Sequence, residues 1–251
     1  MKESATAMSL VQTYLDVSNQ IDKNQLYFIS TIGSKIRGLD LGTSDTDLAG
    51  VFIESAKNRR SFIKTNRTYR FPEHNLELIE IKQFFNHLIF AKPTAYEMLN
   101  SPEMFVSGIR DIETLRFNVY GYRDVDALYY QYSKMAYGCI KGGRFDDKQL
   151  IRGIYFYLLA EASKEKTDGW CDLDIKSLMQ ITDSLIPVEL KTNIETVIKL
   201  YRASEPIDLK LRNEIVPKII KSRTKIMDAY VEKPNKDLHE WLTQYMKHNF
   251  Y

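Results

Sequence analysis

Asp45 and Asp47 stand one residue apart in the run Ser44-Asp45-Thr46-Asp47-Leu48. In an extended strand, residues two apart project to the same face, so both carboxylates stand together while Thr46 turns away. Two like charges held that close repel each other unless a cation lies between them. Hard carboxylate oxygens suit magnesium, with manganese as its substitute. Two such ions about 4 Å apart can clamp the attacking and leaving oxygens of a phosphoryl displacement. Taken alone, an SDxD run also describes a polar turn ahead of a strand.

Upstream lies Ile32-Gly-Ser-Lys-Ile-Arg-Gly38. Gly33 and Ser34 fall where a strand ends and a short helix would begin, a place where backbone N–H groups and the positive end of a helix dipole favour phosphate. Glycine allows close approach of the ligand and the Ser34 hydroxyl adds a donor, while Lys35 and Arg37 can neutralise phosphate oxygens. The pairing of this turn with the two aspartates, between two strands, is more specific than either alone.

The elements that must position these residues follow from periodicity. Met8, Leu10, Val11, Tyr14 and Leu15 fall at helical spacing, and the apolar run from Leu26 to Ser30 reads as a buried strand. Thr46 to Ile53 reads as a second strand and Leu76 to Ile81 as a third. Phe84, Phe85, Leu88 and Ile89 fit a helix closed by the Lys92-Pro93 step. Farther on the pattern is helical: Leu128 to Ala136, Leu150 to Leu159, Val188 to Tyr201 and Ile215 to Tyr230, punctuated by Gly142-Gly143 and Thr167-Asp168-Gly169. The fold expected is α+β. A small mixed sheet carries helices on one face and the metal site on the other, over residues 1–110, and a helical domain occupies residues 111–251.

GSKIRG, then SDTDLAGV, then IKQFFNHLIFAKPTAYEML together cover roughly residues 28 to 100. In that order and with those gaps they resemble the signature of the DNA polymerase β-like nucleotidyltransferase superfamily. Within it they look most like the family found beside RNA ligases in phage and bacterial genomes, which reads GSR-x-x-G, SDxDLRGV and NPT-x-x-E-x-L. The resemblance implies a nucleotidyltransferase core in which Gly33, Ser34, Lys35, Arg37 and Ser44 serve the nucleotide and Asp45 and Asp47 hold Mg2+. It also implies a third carboxylate on a neighbouring strand, for which the chain offers Glu77 and Glu80. Strand alternation favours Glu77, because Leu76 and Leu78 share the opposite face. Glu77 would be a metal ligand or the base that accepts the attacking hydroxyl's proton. The implied partners are an NTP and an RNA end. Ala49 stands where the family has arginine, and Asn75 where an acidic residue is common. Arg152 and Tyr155 lie near the places of a His and an Arg in the family's helical half. These departures motivate an alternative, a degenerate member that binds nucleotide or RNA without turnover.

Other chemistry is excluded by pattern. His74, His87, His239 and His248 have no zinc-site spacing, and no Walker loop is present. Two cysteines without CxxC spacing read as reduced core thiols. With 251 residues, 44% hydrophobic and 27% charged, the chain is long enough to bury a real core. A net charge of +2 neither demands nor excludes nucleic acid. No signal peptide is visible and no apolar run approaches the roughly 20 residues that span a bilayer, so a soluble cytoplasmic protein is expected. Lys210 to Lys225 is rich in basic residues, and Lys218, Lys221 and Lys225 would line one helix face, as a solvated face or an RNA contact. Most of the sixteen tyrosines lie at apolar helical positions and are expected in the core.

Overall fold

The computed structural model describes residues 2–18, 20–21, 26–42, 45–54, 68–106, 112–141, 145–165, 173–227 and 230–250. Ser44, Cys171 and the turns at Gly142-Gly143 and Thr167-Asp168-Gly169 lie outside them. The chain divides into two units by internal contacts: Met1–Ile36, Gly42–Tyr122 and Pro234–Tyr251 form the first, Arg37–Leu41 and Arg123–Lys233 the second. The sequence suggests one boundary after residue 110, whereas contacts group the chain discontinuously.

The first unit is built on a sheet whose apolar strands require cover on both sides. Its strands are β1 (Leu26–Ile32), β2 (Asp47–Phe52), β3 (Thr68–Phe71), β4 (Leu76–Glu80) and β5 (Met104–Val106), in the order β3-β4-β2-β1-β5. β1 runs antiparallel to β2 and β5, β4 antiparallel to β3, and β2 parallel to β4, so the sheet is mixed. Helix α1 (Lys2–Ser18) supplies Leu10 and Val17 to a cluster with Ile29, Leu48, Phe52, Leu76 and Leu78 on one face. On the other face Phe28 meets Phe84 of α2 (Ile81–Ile89) edge-on, with ring centroids 5.5 Å apart. The expectation of helices on one face is therefore corrected. Leu26-Tyr-Phe-Ile is a continuous apolar run, the pattern of a strand buried on both faces rather than one.

Strand crowding leaves room only for glycine at position 50: a Cβ there would lie 2.6 Å from the Phe28 carbonyl oxygen and 2.7 Å from Leu78 Cδ2. Pro93 opens α3 (Pro93–Asn100), where its missing N–H costs nothing. Helix α4 (Ile112–Gly121) follows. Helix α10 (Lys236–Phe250) returns to this unit, where Asn235 N–H donates to the Ile89 carbonyl at 3.1 Å. The buried Tyr27 and Tyr245 hydroxyls there are 2.9 Å apart.

The second unit is helical: α5 (Val125–Ile140), α6 (Asp147–Ser163), α7 (Ile175–Ile181), α8 (Val188–Arg202) and α9 (Leu209–Met227). Helix α6 is apolar around most of its circumference and buried along most of its length, as such a helix must be. Asp146 starts it with a capping box, accepting from Gln149 N–H at 2.6 Å while the Gln149 side chain accepts from Asp146 N–H at 3.0 Å. Glu161 accepts from Lys164 at 2.7 Å and from the Tyr129 hydroxyl at 3.1 Å, and the Ser222 hydroxyl lies 3.0 Å from that of Tyr129. The network satisfies polar groups drawn from α5, α6 and α9. Helix α9 runs through Pro217, which removes one backbone bond; Ile215 and Ile219 on either side are almost wholly buried and hold the helix against that loss. No helix among the described residues is long and apolar enough to cross a membrane.

Candidate active site

The site is assembled where β1 ends and β2 and β4 begin. Ile32 is the last residue of β1 and pairs with Asp47, the first of β2; Leu48 then pairs with Leu76 of β4. Alternation along β2 sends Leu48 into the apolar cluster and Asp47 to the opposite face, where it is exposed. Because β2 starts at Asp47, the strand fixes the direction of that carboxylate, while Asp45 lies before the strand, in a segment with no regular structure, and is also exposed.

Gly33 leaves β1 with φ of +84°, a conformation natural only to glycine. A Cβ built on it would lie 2.5 Å from Asp47 Oδ2, so the carboxylate rests directly against this turn. The other oxygen, Oδ1, accepts a 2.7 Å hydrogen bond from the Asn75 amide. Asn75 itself has φ of +48° and donates to the Thr46 carbonyl at 3.3 Å, so it clamps the entry to β2 from the head of β4. Lys35 Nζ donates to Thr46 Oγ1, the side chain that lies between the two aspartates in sequence. Residues 33–38 form a run of turns and not the helix start that the sequence suggests.

Glu97 is the glutamate of the PT-x-x-E-x-L block, to which the sequence assigns no role, yet it belongs to this cluster. It lies in α3, 9% exposed, and its Oε1 accepts the Gly33 N–H at 3.2 Å. That backbone donor therefore fixes the turn instead of facing an open space. The signal in the sequence is a carboxylate inside an apolar run, Ala95-Tyr96-Glu97-Met98-Leu99, all five buried.

The two glutamates considered for a third carboxylate have different surroundings. Glu77 pairs in register with Ala49, which puts it on the Asp47 face, and its Oε2 accepts from Arg70 Nε of β3 at 3.1 Å. Glu80 is buried and caps α2, accepting from Lys82 N–H at 2.8 Å and Gln83 N–H at 3.3 Å. Burial raises its carboxyl pKa, against the lowering effect of those two N–H groups and the Lys82 charge. Ser34 is half-buried in the turn. Arg37 is buried within the helical unit, its guanidinium carbon 5.2 Å from the ring centroids of both Tyr155 and Phe156, two cation–π contacts.

Among the described residues no group of three or more His, Cys, Asp or Glu is arranged to hold a metal ion. Asp45 and Asp47 nevertheless fit magnesium in donor type, since Mg2+ is ordinarily held by one or two carboxylates, with water and substrate phosphates completing its shell. Comparison with protein-family models and with curated proteins found no match to this chain.

Proposed function

We propose that this chain is a magnesium-dependent nucleotidyltransferase that moves a nucleoside monophosphate from an NTP to an acceptor hydroxyl, with an RNA end as the first acceptor to try. The observation that carries the reading is the Asp47 carboxylate set against the positive-φ turn at Gly33; the Lys35 side chain of that turn is held on Thr46, the residue before Asp47. Asp45 and Asp47 would hold Mg2+, or Mn2+ in its place, and the bound ion would neutralise and orient phosphate oxygens. Lys35 supplies a further positive charge for the triphosphate, and the Ser34 hydroxyl a donor. An acceptor hydroxyl gives its proton to Asp47 or Glu77 and attacks the α-phosphate in line. The bond to the β-phosphate breaks and pyrophosphate leaves. Catalysis of this kind is mostly positioning and charge neutralisation.

A second reading is a nucleotide- or RNA-binding module without turnover. It is favoured by the residue that faces Asp47 across the strand pair: Asn75 supplies an amide donor there, where a third carboxylate would complete a metal site. Incubation with each NTP labelled on its α-phosphate, with magnesium and RNA or protein acceptors, separates the two. Transfer that is lost in the double variant Asp45→Asn, Asp47→Asn supports the enzyme. Binding without transfer, indifferent to metal, supports the module.

A further inference from the structure

A second charged feature lies in the helical unit and is used by neither reading of the aspartates. Helices α7 and α8 flank a groove of about 500 Å³, within the size range of ligand sites. Its floor is apolar, made by Ile175, Met179 and Ile198, all buried. Its rim is cationic: Lys176 from α7 and Lys191, Lys199 and Arg202 from α8, against one carboxylate, Glu195.

Two of these cations are already engaged, Lys191 with Asp183 and Arg202 with the Gly38 carbonyl at 2.9 Å. Among the described residues the side chains of Lys176 and Lys199 make no hydrogen bond or ion pair, and both are exposed. Lys191, Lys199 and Arg202 fall on one face of α8, and the helical rise carries that row over roughly 16 Å. A row of that length outreaches the phosphates of a single nucleotide and matches several phosphates in succession. The apolar floor beneath offers a surface for a base.

We infer that this groove binds a single strand of nucleic acid, with its phosphodiester backbone along Lys191, Lys199 and Arg202, Lys176 beside them, and a base over Met179 and Ile198. The inference is independent of catalysis, so its test is run in EDTA without NTP, and a failure of either reading leaves the other standing. Binding of a fluorescein-labelled mixed-sequence 12-mer, as RNA and as DNA, is followed by anisotropy from low to moderate salt. The double variant Lys176→Ala, Lys199→Ala is compared with Lys148→Ala, Lys210→Ala, which removes the same charge from exposed positions of the same unit outside the groove.

The groove variant is expected to bind about 10-fold more weakly, with a salt slope lower by about 0.7 per lysine, and the control to bind nearly as wild type. Met179→Glu, which keeps the cations and places a like charge on the floor, is expected to weaken binding as well. Equal loss in both double variants would reduce the effect to net charge and overturn the inference. So would binding unaffected by all three variants, or polyglutamate competing as well as the oligonucleotide, which would make the groove a site for acidic protein.

Discussion

Gly33→Ala tests the packing of the proposed site without touching any acidic residue. An alanine at φ of +84° carries about 1–2 kcal/mol of backbone strain, partly offset because alanine restricts the unfolded chain by about 0.4–1 kcal/mol. Gly42 offers the matched control: its φ is +83°, and among the described residues nothing lies within 4 Å of a Cβ built there. Gly42→Ala should therefore cost about 0.5–1 kcal/mol. At Gly33 the added Cβ meets Asp47 Oδ2 at 2.5 Å, so the carboxylate must swing away from the Asn75 amide. An exposed hydrogen bond to a charged acceptor adds about 1 kcal/mol, for a total near about 2 kcal/mol. Urea unfolding at constant m value measures both variants. In an Asp47→Ala background the extra cost should vanish and the two glycines should become equal, the signature of a direct coupling. Equal costs in the wild-type background, or an extra cost that persists without Asp47, would refute the contact.

Gly50→Ala should destabilise by about 2–3 kcal/mol in the same assay, since its Cβ would press on the Phe28 backbone in the middle of the sheet; a cost under about 0.5 kcal/mol would contradict that crowding. Burial raises the Glu80 pKa in the folded chain, so the folded state holds that proton more tightly than the unfolded one. The Glu80 contribution to stability should therefore fall as pH rises from the ordinary carboxyl pKa through the raised folded value. The difference between wild type and Glu80→Gln should shift against wild type over that window, and a pH-independent difference would contradict it. Tyr245→Phe leaves the buried Tyr27 hydroxyl without its 2.9 Å partner and should cost about 1 kcal/mol, with Tyr27→Phe, Tyr245→Phe together costing less than the sum of the single changes.

Strands β1, β2 and β4 and helices α1 and α2 are readable because their patterns are local, whereas α3 is not read as a helix. The apolar run at Leu26 and the alternation around Leu48 and Leu76 locate β1, β2 and β4 to within two residues at either end. β3 and β5 were missed, since Thr68–Phe71 and Met104–Val106 are too short for a period to show. Helix α7 has seven residues and escaped for the same reason. The reading of Ile215 to Tyr230 already runs through Pro217 but starts late, because Leu209 to Glu214 is mostly charged and polar and shows little apolar period; the helix begins at Leu209. At the site, the residue types of the turn and the aspartates were legible, but their partners were not. Glu97 reaches Gly33 across 64 positions of sequence, and the Asn75 clamp on Asp47 depends on a parallel strand pairing that no local pattern encodes.

The central claim is that Asp45 and Asp47 trap a divalent cation against the phosphates of a nucleotide. Calorimetric titration with an NTP analogue carrying a methylene between its α- and β-phosphates isolates that claim from the acceptor. Wild type should bind the analogue at least about 10-fold more tightly with Mg2+ than in EDTA, and the double variant Asp45→Asn, Asp47→Asn should lose that dependence. Equal affinity with and without Mg2+ in wild type, or a Mg2+ dependence that survives in the variant, would contradict it.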